Sequence, residues 1–179
     1  MATVTHNLLK RASSPINATV KTSEDNSLEM YGLILGLVVN GMEPGDRLFT
    51  NAVNNYFLFS DNEIIDGSTL AKIVEEGLNV KEKITEFSIQ DLHIPDQSNP
   101  TSQRLRGLQE LSQGLAYGLC IKSSDGSFIE SKEHPFLDEI NTIYEITKID
   151  TDDDIDENDL NEVLNYLVST IKTISHNTQ

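Results

Sequence analysis

The chain has 179 residues, a single cysteine and a net charge of −16. That length suits one domain, and one cysteine excludes an intramolecular disulfide and a four-cysteine zinc site. Residues 1–23 hold Lys10, Arg11 and Lys21 and no acid, which leaves −19 for the remainder; such a body repels phosphate backbones and anionic lipid, so neither direct nucleic-acid binding nor membrane binding is expected.

Residues 1–27 are rich in Ser, Thr and Asn and read as a polar, basic N-terminal tail. No apolar run follows Lys10 and Arg11, so a soluble, cytoplasmic protein is expected. Ser27 is placed to cap a first helix, Leu28 to about Asn40, stopped by Gly41 and Pro44. Asp46 precedes a second, Arg47–Phe59. A third is expected from Ser68, with Leu70, Ile73, Val74, Leu78, Ile84 and Phe87 on its apolar face and a break near Gly77 and Asn79. The segment 93–102, with two prolines, reads as a linker between two halves. Beyond it, Leu105, Leu108, Leu111, Leu115 and Leu119 recur at helical steps over Gln103–Ile121. Pro135 suits the first position of the next helix. The last follows Leu160, Val163, Leu164, Leu167, Val168, Ile171 and Ile174, leaving 176–179 as a C-terminal tail. No segment of real length alternates as a strand does, so the fold class is all-α: a bundle of about six helices, with residues 28–175 as one domain.

The hexapeptides GLILGL (Gly32–Leu37) and GLAYGL (Gly114–Leu119) share one frame. A glycine inside a helix costs about 1 kcal/mol relative to alanine, and a four-residue spacing puts both glycines of a pair on one face. Gly32, Gly36, Gly114 and Gly118 therefore mark close helix packing, either within the chain or at a dimer seam. A phosphate loop is a poorer reading, because the glycines lie inside apolar runs.

The stretches EMYGLILGLVVNG, HIPDQSNPTSQRLRGLQELSQGLAYGLC and FLDEINTIYEITKIDTDDDIDENDLNEVLNYLVSTI resemble, in order and spacing, the landmarks of the YgfB/YecA-like family of bacterial proteins. The similarity spans roughly residues 28–175 and is to the short form, without a C-terminal SecA-like zinc tail. Tyr31 stands where that family commonly has histidine, Leu111 and Ser112 where it has a Trp-Cys pair, and Asn165 where it has the Glu of Glu-Tyr. The resemblance implies a multihelical, frequently homodimeric bacterial protein of the cytoplasm with no established enzymatic activity.

The acidic stretch 150–159 places Asp150, Asp152, Asp154 and Asp156 at positions 1, 3, 5 and 7 of a calcium-loop count, with Asn158 at 9. Position 6 is Ile155 where the sharp turn needs glycine, and position 12 is Asn161 where a bidentate Glu belongs. The simpler reading is that Asp156 or Asn158 caps the last helix and the other acids are solvated. These five residues are weak metal candidates. Asp152, Asp153, Asp154 and Asp156, with Arg104 and Arg106, form a candidate partner surface, although for Arg104 and Arg106 internal pairing with the acids is the safer reading. His6, His93, His134 and His176 read as surface or loop histidines, and Cys120 as a buried thiol. No catalytic set and no cofactor fingerprint stands out. The expected function is a non-enzymatic, homodimeric helical protein working through contact with an unknown protein, such as a regulatory adaptor. The rival is a divalent-metal-binding protein or metal-assisted hydrolase using residues 150–159.

Overall fold

A computed structural model of the chain describes residues 27–60, 65–129, 134–150 and 155–178, with the backbone alone for Ser27 and residues 57–60. Residues 1–26 of the proposed tail 1–27, His6 among them, and Asp152, Asp153 and Asp154 lie outside the described residues. Six α-helices follow one another: α1 Ser27–Val39, α2 Arg47–Ser60, α3 Gly67–Lys83, α4 Thr101–Leu119, α5 Leu137–Ile146 and α6 Glu157–Thr178. Two single turns of 3₁₀ helix, Ile84–Glu86 and Ile89–Leu92, join α3 to the segment before α4. Among the described residues the only β pairing is one antiparallel bridge, Ile121 with Phe128.

Every residue from 31 to 40 is buried. A helix apolar all round must be covered on all sides, and α1 accordingly packs against α2, α3, α4 and α6. Helix α4 is its companion, buried without interruption over residues 114–121, and α5 and α6 lay their apolar stripes against it. The 93–102 segment therefore separates no independent halves. Its turn is closed by the Asp96 carboxylate, which accepts the Ser98 N–H at 2.9 Å, and the two sides of the sequence share one core.

Local chemistry moves several element ends. Helix α3 starts at Gly67 because Asp66 caps it: its carboxylate accepts the N–H groups of Ser68 and Thr69 at 2.8 and 3.0 Å and their hydroxyls at 2.6 Å. A charged acceptor makes the stronger hydrogen bonds, so Ser68 donates to the cap instead of forming it, and these bonds hold the Asp66 carboxyl well below its ordinary range. Nor does α3 break at Gly77. That glycine is buried, and a Cβ there would lie 3.0 Å from Pro44 and 3.2 Å from Phe49, so its smallness admits the α1–α2 connection. Pro135 precedes α5 without joining it. Phe136 is the N-cap, with φ −117° and ψ 36°, its N–H held by the His134 ring. At the C-terminus the expected tail is helical as far as Thr178, whose hydroxyl donates to Val39 O at 2.6 Å and ties α6 to the end of α1.

One buried polar atom, Ser112 Oγ on α4, has no hydrogen-bond partner among the described residues, and Ser112 is fully buried. Leaving a hydroxyl desolvated and unpaired costs ~1–3 kcal/mol. Ser112→Ala is expected to raise stability by about 1 kcal/mol in urea denaturation. Destabilisation by that amount would mean that the hydroxyl is bonded in solution.

Candidate functional site

The two glycine pairs meet each other. A Cβ built on Gly32 would lie 2.1 Å from Leu111 O, and one on Gly114 would lie 1.9 Å from Glu29 O. One turn on, Cβ atoms on Gly36 and Gly118 would each fall 2.9 Å from the other glycine's Cα. Each contact has a mirror: the residue three before one glycine faces the matching glycine of the other helix. Contacts advance in the same direction along both helices, so α1 and α4 cross in parallel, backbone against backbone, about a local pseudo-two-fold axis. The crossing lies within the chain, which decides between the two places the glycines could occupy. These four residues are therefore spent within the chain and are not free to form a seam between chains.

The same helix α4 carries the polar contacts to the acidic stretch. Arg104 is 4 % exposed; its Nε donates to Pro95 O at 3.0 Å and a terminal N–H donates to the Glu157 carboxylate. Arg104 is thus removed from the candidate partner surface, because burial gives it no face to offer a partner; Arg106 is exposed. Five residues along α4, Gln109 Nε2 donates to Ile149 O at 2.6 Å. The residues flanking 150–156 are therefore both fastened to α4, at Ile149 and at Glu157. Asp156 caps α6, its Oδ1 accepting the N–H groups of Asn158 and Asp159 at 2.7 and 2.9 Å. This is the capping that the sequence offered as the simpler use of the residue, and it engages the carboxylate that a calcium loop would need. Asn158 is exposed in the first turn of α6, and Asp150 is exposed. Among the described residues no group of three or more His, Cys, Asp or Glu side chains is arranged to hold a metal ion.

Other polar groups are structural in their partners. Tyr56 donates its hydroxyl to Glu29, which also accepts from Gln113 Nε2 at 2.5 Å, so α2, α1 and α4 share one carboxylate. Tyr31, at the position the resemblance gives to histidine, donates to Asp91 O at 2.6 Å and meets the His93 ring edge-on at 4.6 Å. These two rings border a small cleft completed by Glu76, Asn79, Lys83 and Asp91. The Cys120 thiol is buried, and desolvation pushes it up to about 12, so it stays protonated. His93 and His176 are exposed. His134 lies in the connection before α5, as the loop reading has it, but not at the surface: it is 8 % exposed and bonded at both ring nitrogens. Asn40, which donates to Leu119 O and Ile121 O at 3.2 and 2.5 Å, is another buried polar residue that the sequence reading missed. Its signal was present in GLVVNG, an amide at the end of a wholly apolar helix with no water to satisfy it.

No helix among the described residues is long and apolar enough to cross a membrane. No family model matches the chain, and no curated protein or solved structure matches it.

Proposed function

We propose that the chain is a YgfB/YecA-like protein of the bacterial cytoplasm, a non-enzymatic homodimeric adaptor that meets a basic surface of another protein through the acidic stretch 150–159. The observation that carries this reading is the anchoring of that stretch. Gln109 at Ile149 and Arg104 at Glu157 fasten both flanks to α4, so Asp150 and Asp156, which stand beside those anchors, present their charge from fixed positions. Preorganised charge of this kind steers and orients a partner at little entropic cost. The resemblance supports the homodimer. The glycine crossing is occupied within each chain, so a dimer uses another face.

The test is affinity capture of tagged protein from the source cells, beside a variant with Asp152, Asp153, Asp154 and Asp156 changed to Asn. Asparagine keeps the α6 cap while removing four charges. A partner retained by the native chain and lost by the variant is expected, with loss also at high salt. A partner that binds both proteins equally would overturn the acidic contact. Light scattering on the purified chain is expected to give twice the 19.9 kDa chain mass; a monomer at every concentration would remove the homodimer.

A further inference from the structure

His134 enters α5 with its two ring nitrogens committed to opposite roles. Nε2 lies 2.8 Å from the Leu119 carbonyl oxygen, which can only accept, so Nε2 carries the proton. Nδ1 accepts the Phe136 N–H at 3.0 Å, so Nδ1 carries none. The ring is thereby held as one neutral tautomer bridging the last residue of α4 and the N-cap of α5. Leu119 O also accepts from Asn40 at the end of α1, so three elements converge on one carbonyl.

A second proton on the ring would sit on Nδ1 and face the Phe136 N–H, donor against donor. The bond that sets the start of α5 would then be replaced by repulsion. Around the ring, α4 presents the neutral Leu119 carbonyl and α1 the neutral Asn40 amide. From α5 comes Glu139, whose charge favours the imidazolium. Burial opposes it and prevails, keeping the imidazole below its ordinary range.

We propose that His134 is a proton-sensitive latch, and that acidification frees the entry of α5 from the C-terminal end of α4. The sign follows from linkage. The closed form binds its proton below the ordinary histidine value of about 6.5, while the released ring titrates at that value. Above about pH 6.5 the latch is fully effective. As pH falls below it, the released-to-closed ratio rises by up to tenfold per pH unit until the closed-state value is reached.

Amide hydrogen exchange on the full chain tests this at Phe136 and at Ile140, whose N–H donates to Phe136 O at 3.0 Å. After correction for the intrinsic rate, protection at both amides is expected to fall by up to about fivefold between pH 6.5 and pH 5.5. Leu35 and Leu115 in the central helices are expected to keep theirs. His134→Gln has a non-titrating side-chain amide that can still donate to Leu119 O, and its Phe136 protection is expected to be the same at both pH values. The proposal is overturned if the native chain shows no extra loss at Phe136 and Ile140, or if His134→Gln loses as much. Should His134→Gln not fold, the ring resonances of the native chain decide. Titration below the ordinary range, in step with the Phe136 amide, supports the latch; titration at the ordinary value, with an unmoved amide, overturns it.

Discussion

Gly114→Ala is expected to cost more than ~4 kcal/mol or to prevent folding, the largest effect of any single methyl group in this molecule. The added carbon would lie 1.9 Å from Glu29 O and 2.7 Å from Leu33 N. Both are backbone atoms of a buried helix, so no side chain can swing aside. Restoring ordinary contact near 3.5 Å requires α1 and α4 to separate by more than ~1 Å, and α1 is already covered on its other sides. Ordinary overpacking costs ~1–3 kcal/mol; here the shift must propagate through the whole bundle, because every residue from 31 to 40 is buried. Gly67 is the control. A Cβ there meets nothing within 4 Å, so Gly67→Ala is expected to be neutral or to stabilise by up to ~1 kcal/mol through helix propensity. Urea denaturation followed by circular dichroism compares the two, and a Gly114→Ala variant within 1 kcal/mol of native would refute the tight crossing.

The second large effect concerns an ion pair whose partners are unequally buried. The Arg104 side chain is 5 % exposed and that of Glu157 is 42 % exposed. Removing the carboxylate leaves a guanidinium inside the protein with its hydrogen bond to Pro95 O. Stranding a buried charge in this way costs ~3–5 kcal/mol, and the partial exposure of Glu157 places the expectation for Glu157→Ala near ~3 kcal/mol. Arg104→Met is expected to cost less, ~1–2 kcal/mol, because Glu157 can return to water while methionine fills most of the vacated space and Pro95 O loses one hydrogen bond. The order of the two variants is the diagnostic. If Arg104→Met is the more damaging in denaturant, the guanidinium stabilises through its packing and its bond to Pro95 more than through the pair.

Much of the architecture was legible in the residues. All six helices were anticipated, most ends to within two residues, because apolar spacing at three and four residues is a local property and so is the stop imposed by Gly41 and Pro44. The errors occurred where two local signals competed. Ser68 and Pro135 are both good helix-start residues, yet the carboxylate of Asp66 and the ring of His134 set the actual starts. Gly77 read as a break because the side chains it accommodates, Pro44 and Phe49, are more than 25 positions away.

The candidate site divides along the same line. That Gly32, Gly36, Gly114 and Gly118 serve close approach was written in the hexapeptides, since a missing side chain admits another backbone wherever the helix ends up. The capping use of Asp156 was equally local, being a carboxylate beside its own helix N-terminus. Which helix the glycines meet, in which direction, and whether within one chain, depended on packing between segments 82 positions apart. Pairing of Arg104 with the acids was likewise anticipated, and His134 read as a surface or loop histidine, because a side chain's charge and hydrogen-bonding capacity are intrinsic to the residue. Its burial and its partners are not: Glu157 and Leu119 reach them only after the helices have assembled, and that assembly is a property of the whole core.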